Sequence, residues 1–559
     1  LSLLLALFAA IAVLNAKPTN CEITPVYAVA GQGAEPIDPG KEVTVQGVVT
    51  AAFPGDSGLN GFFIQGEKTA PDDLPSGLFI YAPQLKEREK KGTQENRVLR
   101  IQGKTGIYRG RPQLENISSI SIRGNRETNS VRVEMPLSRP ERLEGVKVRF
   151  KHGFTVTDNY QLKKYGSLEL SAGGRAFQPS NFPSGQGPEN PTCKGKRIIL
   201  DDGCYSRNPE QTPYLNKKDT RRVGTRVKKG LTGIMTNAFD SWRVHPTEAP
   251  EFENANPRPE ELPKPESNRV RLAVLNLHGY FLTLGKRGAE DKEELKRQQG
   301  KLMAAVENLH PDILVLLEIE NRDKVPRRFL RLLKRSSGDP WKLLSTKNAE
   351  NNVIRTSLAY RADRIKQTSP GKRDFTPVHD RPPLIAGFKP RKGGKAFGVA
   401  GAHFKSKSDC PERGDMDKGQ GCWNRKRVKQ ARALLEFIQS WRERHDSLPV
   451  LIAGDLNAYG AEDPVQVLTR HSGMDLLAKQ IFWKERYTYI YSGESGYLDH
   501  LIATPQLAER TAKVRTYHIN ADEPRFLEYN QEVAEDPYPD RSPYRCSDHD
   551  PVTVDLQAR

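Results

Sequence analysis

Six apolar runs in the second half of this 559-residue chain are each flanked by a residue able to do chemistry. Asn276 follows VRLAVL, Glu318 follows DILVLL, His403 follows FGVAGA, and Asp455 and Asn457 follow PVLIAG. Asp499 and His500 precede LIAT, while Asp548, His549 and Asp550 precede PVTVDL. A polar group buried beside such a run without a partner costs several kcal/mol, so one instance usually marks a satisfied structural group. Six strands each delivering one point instead to convergence on a single site. Carboxylates together with Asn supply hard oxygen donors of the kind Mg²⁺, Mn²⁺ or Ca²⁺ takes. Histidine next to aspartate adds general acid–base capacity near neutral pH.

The elements that must hold these residues are legible in the same stretch. From Arg269 onward, strand-length runs such as DILVLLEIE, AFGVAGAHF and PVLIAGDLN alternate with helical segments. In RVKQARALLEFIQSWRERH, the residues Val428, Ala431, Leu434, Leu435, Ile438 and Trp441 fall on one face at steps of three and four. Strands too apolar to alternate are buried on both faces, which predicts a layered α/β domain over residues 268–559. Upstream, KEVTVQGVVTAAF, GFFIQG, GLFIYAP, RVLRIQGKTGIYRG and ISSISI are short β runs broken by Gly and Pro. They predict an OB-like barrel over 17–125, with a β-sandwich as the alternative. A second β-rich region is expected over 126–247, and the Pro/Glu-rich segment 248–267 reads as an extended linker.

Composition narrows the class. Lys and Arg number 87 against 69 Asp and Glu, a net charge of +18, and mean hydropathy is −0.67. A polytopic membrane protein is excluded, and the positive balance suits a polyanion such as nucleic acid. Residues 1–14, LSLLLALFAAIAVL, read as the apolar part of a signal peptide, with cleavage expected after Ala16. Export, solubility after cleavage and no membrane anchor are the corresponding expectations. Of the six cysteines, Cys193/Cys204 and Cys410/Cys422 bracket short loops and predict local disulfides. The pairing of Cys21 and Cys546 is left open.

The ordered motifs VRLAVLNL, LLEIEN, AGAHFKSK, GDLNAYGAEDP, YTYIYSGESGYLDHLIAT and CSDHDPV carry a resemblance. They resemble the endonuclease/exonuclease/phosphatase (deoxyribonuclease I-like) superfamily. Nearly the whole chain looks like the large secreted nucleases of Gram-negative bacteria, in which an OB-like region precedes such a domain. The resemblance implies a multidomain protein whose nuclease half is an α/β four-layer β-sandwich. It implies that Glu318 and Asp548, with Asn276 nearby, hold a divalent metal, Mg²⁺ first and Ca²⁺ or Mn²⁺ as alternatives. Asp455 and Asn457 would orient the attacking water and the phosphate. His549 would take the water's proton, Asp499 would orient His549, and His403 would assist at the phosphate oxygens or leaving group. Which carboxylate pairs with His403 stays open, Glu320 being conceivable. The implied reaction is hydrolysis of extracellular DNA, with RNA as a second substrate, to 5′-phosphate and 3′-hydroxyl ends by a monomeric secreted enzyme. The alternatives are a sphingomyelinase- or phosphoinositide-type hydrolase of the same superfamily, or a nucleic-acid-binding protein without activity. In the loop HFKSKSDCPERGDMDKGQGCWNRKR, Lys405, Lys407 and Arg425 are candidate phosphate contacts, against a merely solvated loop. The β regions carry no comparable polar cluster and are expected to add affinity through groups such as Tyr108, Arg109 and Arg111.

Overall fold

A computed structural model describes residues 22–32, 38–55, 58–67, 70, 74–85, 91–209, 211–215, 219–347, 352–470, 472–530 and 542–559. The expected signal peptide, Cys21 and residues 216–218 lie outside the described residues. Among the described residues no helix is long and apolar enough to cross a membrane.

Strands β1 (Glu42–Phe53), β2 (Gly61–Gly66), β3 (Gly77–Tyr81), β4 (Arg97–Tyr108) and β5 (Arg111–Asn125) close a barrel in the order β1-β2-β3-β5-β4. β3 and β5 pair in parallel, and the other neighbours are antiparallel. Alternation sends Val45, Phe62, Ile64, Leu99 and Ile101 inward, and the helix Val26–Ala30 adds Val26 and Val29 to the same core. Arg109 and Gly110, both at positive φ (49° and 81°), make the two-residue turn between β4 and β5.

A nine-stranded sheet follows, between Val131 and Glu253. Its core around Val148, Phe150, Val156 and Leu170 also takes in Phe526 and Leu527 from the far end of the chain. The proline-rich segment 248–267 is fastened along its length. Phe252–Glu253 is an edge strand, Asn256 Nδ2 donates to Asp522 at 2.8 Å, and Leu262 N donates to Asn308 O at 3.0 Å.

The C-terminal region has two facing sheets. One is ordered Trp341–Leu343, Ile354–Arg361, Ile313–Glu320, Arg269–Tyr280, Val552–Gln557, Thr511–Thr516. The other centres on Phe397–His403, Val450–Asp455 and Asp499–Ala503. Leu272, Val274, Val315, Val399, Leu451, Leu501 and Val554 interlock between them, fully buried. The helices Lys292–Leu309 and Lys324–Ser337 cover the outer face of the first sheet. Asn424–Glu443 covers the second through Ala431, Leu434, Ile438 and Trp441. Helix, sheet, sheet and helix stack as four layers, so both faces of each sheet are covered.

Cys410 and Cys422 form a disulfide. The expected Cys193–Cys204 bridge is not formed, and both residues are thiols. The reason is the strand Arg197–Asp201 between them. Five extended residues carry the chain roughly 17 Å, whereas a disulfide needs Cα atoms about 4.4–6.8 Å apart.

Candidate functional site

Strand register builds one half of the site. His403 lies opposite Asp455 on the parallel neighbour, and Asp455 lies opposite Asp499 on the antiparallel one. Three adjacent strands thus place His403, Asp455 and Asp499 in a row. Gly454 permits the approach, because a Cβ there would stand 1.8 Å from Ala402 O. Asp455 accepts from Asn457 N at 2.7 Å through Oδ1 and from Asn457 Nδ2 at 3.1 Å through Oδ2. Asn457 Nδ2 also donates to Phe404 O at 3.1 Å, tying the GDLN turn to the residue after His403.

His549 enters this row from the loop before Val552–Gln557, and its Nδ1 meets Asp499 Oδ2 at 2.7 Å. Asp550 fixes that loop by accepting from Asn520 N (2.8 Å) and Ala521 N (3.0 Å) and contacting His518 Nδ1 (2.8 Å). The Tyr489 ring covers the imidazole of His549 at 4.7 Å. Ligand atoms of Asp455, Asp499 and His549 lie within 4.8 Å of one another, in a group able to hold a metal ion. With His549 Nδ1 hydrogen-bonded to Asp499, however, the arrangement is that of an oriented acid–base dyad.

Bulges build the other half. The pairing of Arg269–Tyr280 with Ile313–Glu320 is regular to Asn276/Leu317 and resumes at Tyr280/Ile319. Between them His278, Gly279 and Glu318 adopt positive φ (49°, 70° and 55°). Such irregularities re-aim side chains at strand ends. Asn276 Oδ1 accepts from His278 N at 2.9 Å, and His278 Nδ1 meets Asp548 Oδ1 at 3.0 Å. Burial works against the imidazolium of His278, but Asp548, then Glu528 and Glu318, outweigh it and hold its pKa up at about 9. The cation these carboxylates hold in the free protein is the His278 imidazolium, and Asn276, Glu318 and Asp548 carry oxygen atoms of the kind a divalent ion takes. This donor set fits a divalent ion.

Electrostatics divide the remaining groups. Burial, reinforced by the charge of Asp499 and offset in part by His549, pushes Asp455 up to about 7. Burial opposes charge on His549 too, yet Asp499, Asp548 and Asp455 raise it well above an ordinary imidazole. His403 moves the other way: burial, then Arg381, His549 and Arg287, keep it neutral. Its neighbour is Asp455, 3.4 Å from Nε2. Glu320, the conceivable partner, is committed elsewhere: it accepts from Leu282 N (2.7 Å), Thr283 N (3.1 Å) and Thr283 Oγ1 (2.5 Å).

His278 and Arg381 were not anticipated. His278 sits inside LNLHGY, where a strand reading hides a bulge. Arg381 lies in a loop without periodicity, but its guanidinium acts on Asp455 and Glu318 and donates to Phe404 O. Among the expected phosphate contacts, Lys407 is turned away: its ammonium donates to Glu462 at 2.6 and 2.8 Å and lies over the Tyr459 ring. Lys405 leans over the Trp423 ring at 5.3 Å, and Arg425 is exposed on the first turn of Asn424–Glu443. His500, which precedes LIAT, bonds Ala458 O at 2.8 Å inside the core.

Residues 274–549 match the Endonuclease/Exonuclease/phosphatase family. No curated protein matches the chain. Among solved structures, the human Nocturnin catalytic domain with bound sulfate is 16% identical, over 52% of this chain and 95% of that one, with a TM-score of 0.35. An endonuclease/exonuclease/phosphatase family protein from Bacteroides thetaiotaomicron is 15% identical over 52% and 98%, also at 0.35. D. rerio TDP2 complexed with a single-strand DNA product is 18% identical over 51% and 98%, at 0.34. Residues 274–549 are an endonuclease/exonuclease/phosphatase domain.

Proposed function

We propose that this protein is an exported, divalent-metal-dependent phosphodiesterase that cleaves nucleic acid, DNA first and RNA second, to 5′-phosphate and 3′-hydroxyl ends. The observation that carries this reading is the adjacency of two sets of groups. The His549–Asp499 dyad at 2.7 Å stands one residue from Asp548, to which, with Glu318 and Asn276, we assign the oxygen donors. The net charge of +18 favours a polyanionic substrate. The uncharged leader and the Cys410–Cys422 bridge favour an oxidising compartment. We read the N-terminal barrel as OB-like on its β1-β2-β3-β5-β4 closure with β3 and β5 parallel, and assign it to substrate affinity.

In this reading Asn276, Glu318 and Asp548 hold the ion, which when bound offsets charge on the phosphoryl oxygens. A bound ion would offset the carboxylate charge that raises His549 and leave its Nε2 free to accept a proton. Water then attacks phosphorus as its proton passes to that Nε2; the O–P bond forms, the bond to the 3′-oxygen breaks, and the 3′-oxyanion takes a proton from solvent water to give the 3′-hydroxyl. Asp499 keeps Nε2 aimed by holding Nδ1. Asp455 and Asn457 position the water and phosphate. His403, being neutral, donates a hydrogen bond to a phosphate oxygen rather than a proton to the leaving group. Arg381 lies beside both halves and offers the cationic contact assigned by sequence to Lys407. Lys405 and Arg425 are the outer phosphate contacts.

The test is cleavage of supercoiled plasmid, RNA and sphingomyelin vesicles, each with Mg²⁺, with Ca²⁺ and with excess chelator. Plasmid nicking that depends on metal is expected, and Glu318→Ala should lower it by about 10²-fold or more while the thermal midpoint stays within a few degrees. Undiminished nicking in chelator would overturn the metal assignment. Hydrolysis of sphingomyelin in preference to plasmid would overturn the substrate.

A further inference from the structure

A cleft of about 540 Å³ opens from Asp548 and His278 and runs between the nine-stranded sheet and the C-terminal region. Tyr160, from the loop after Phe154–Asp158, and Tyr491, from the hairpin strand Tyr489–Tyr491, both line it. Both remain largely in solvent, at 52% and 63% exposure. Two large rings exposed on the walls of one cleft offer π-faces to whatever enters it.

Contacts that cross the two parts of the molecule fix the Tyr160 ring and the hairpin that carries Tyr491. Arg525 donates to Tyr160 Oη at 2.7 Å and stacks on its ring at 5.2 Å, and Tyr160 N donates to Asp158 at 2.7 Å. The hairpin bearing Tyr491 is clamped by Arg197, which donates to Ser492 O (2.6 Å) and Glu494 (3.2 Å). Strand periodicity relates Tyr491 to the active centre: Tyr489 covers His549, and Tyr491, two residues on, lies on the same face one pleat farther out. Two residues of strand place Tyr491 roughly 7 Å from Tyr489 along the cleft.

We propose that Tyr160 and Tyr491 form a stacking subsite for one unpaired nucleobase adjacent to the scissile phosphate. This rests on the nuclease reading above and extends it: the nine-stranded sheet supplies part of the substrate site. A planar ring is what two exposed tyrosines and a stacked guanidinium accommodate, and every base has a π-face, so the subsite is tolerant of sequence. A base held in a duplex is unavailable to it. The enzyme accordingly prefers single-stranded or locally opened DNA.

The experiment measures kcat and KM of the full chain with Mg²⁺ on a short single-stranded oligodeoxynucleotide, on the same strand with an abasic residue beside the cleaved bond, and on its duplex. Tyr491→Ala and Tyr160→Ala should each raise KM on the base-bearing strand about tenfold with kcat unchanged. They should leave the abasic strand unaffected, and Tyr491→Phe should restore the parent KM. Equal changes on the abasic strand, or none on the base-bearing one, would overturn the subsite while leaving the nuclease reading intact. Failure of the unsubstituted protein to cut any of the three would overturn both.

Discussion

An imidazole removes a proton from water efficiently only when its other nitrogen is held, and Asp499 is the group that holds it in this protein. Replacing Asp499 by Asn keeps the shape but presents an amide to Nδ1 and removes the charge that stabilises the imidazolium. kcat should fall by about 10²–10⁴-fold with KM little changed, as steady-state kinetics on plasmid or oligonucleotide will show. A loss of less than threefold would remove the dyad from the mechanism. At this scale much was legible in the sequence, because burial on both faces makes any polar residue at a strand end conspicuous. Asn276, Glu318, His403, Asp455, Asp499 and His549 announced themselves that way. Lys407 misled for the complementary reason: a lysine two residues beyond a lysine looks solvated and phosphate-facing, yet its counter-charge, Glu462, lies 55 residues farther along and closes only in the fold.

At the scale of elements, apolar periodicity located the strands and the helix Asn424–Glu443, but it carries no information on irregular backbone. The bulges at His278 and Glu318 depend on pairing between strands, so no local pattern marks them. Cysteine spacing failed at Cys193 and Cys204 because a strand occupies the gap, and succeeded at Cys410 and Cys422, where a loop does. That loop follows His403 directly, and Trp423 Nε1 seals it by donating to Ser408 O (3.0 Å) and Asp409 O (2.9 Å). Alkylation of protein denatured without reductant, read by peptide mass spectrometry, should modify Cys193 and Cys204 but spare Cys410 and Cys422. A recovered Cys193–Cys204 peptide would contradict the strand placement. Modification of Cys410 would contradict the bridge.

At the scale of the whole molecule, charges cross between the nine-stranded sheet and the C-terminal region. Arg175 donates to Asp522 at 2.8 Å, Arg222 pairs with Glu523, and Arg258 donates to Glu523 at 2.8 Å. Asn181 Nδ2 donates to Arg486 O at 3.0 Å, and Phe177 and Phe182 pack with Tyr487 and Trp483. The barrel is attached differently, through the nine-stranded sheet: Gln65 accepts from Lys147 N at 2.7 Å, and Phe63 and Phe79 pack with Ile234. Two fragments should therefore behave unlike one another. Residues 126–559 lose the barrel but keep the crossing contacts, and should retain metal-dependent cleavage while needing more DNA to saturate and losing affinity less steeply with salt. Residues 267–559 leave Asp522, Glu523 and Tyr487 uncovered, strip Phe526 and Leu527 of their core, and should melt well below the full chain with little cleavage. A stable, fully active 267–559 fragment would show that the crossing contacts are incidental. The same contacts have a pH signature in the full chain. Burial alone would raise Asp522, but Arg175, Arg222 and His518 hold it near 2, below its ordinary 3.8. Its contribution, about 2 kcal/mol, is complete above the unfolded value and is lost as pH falls from about 4 toward 2. Asp522→Asn should flatten the fall in thermal midpoint across that window, and an unchanged slope would mean that other carboxylates govern acid unfolding.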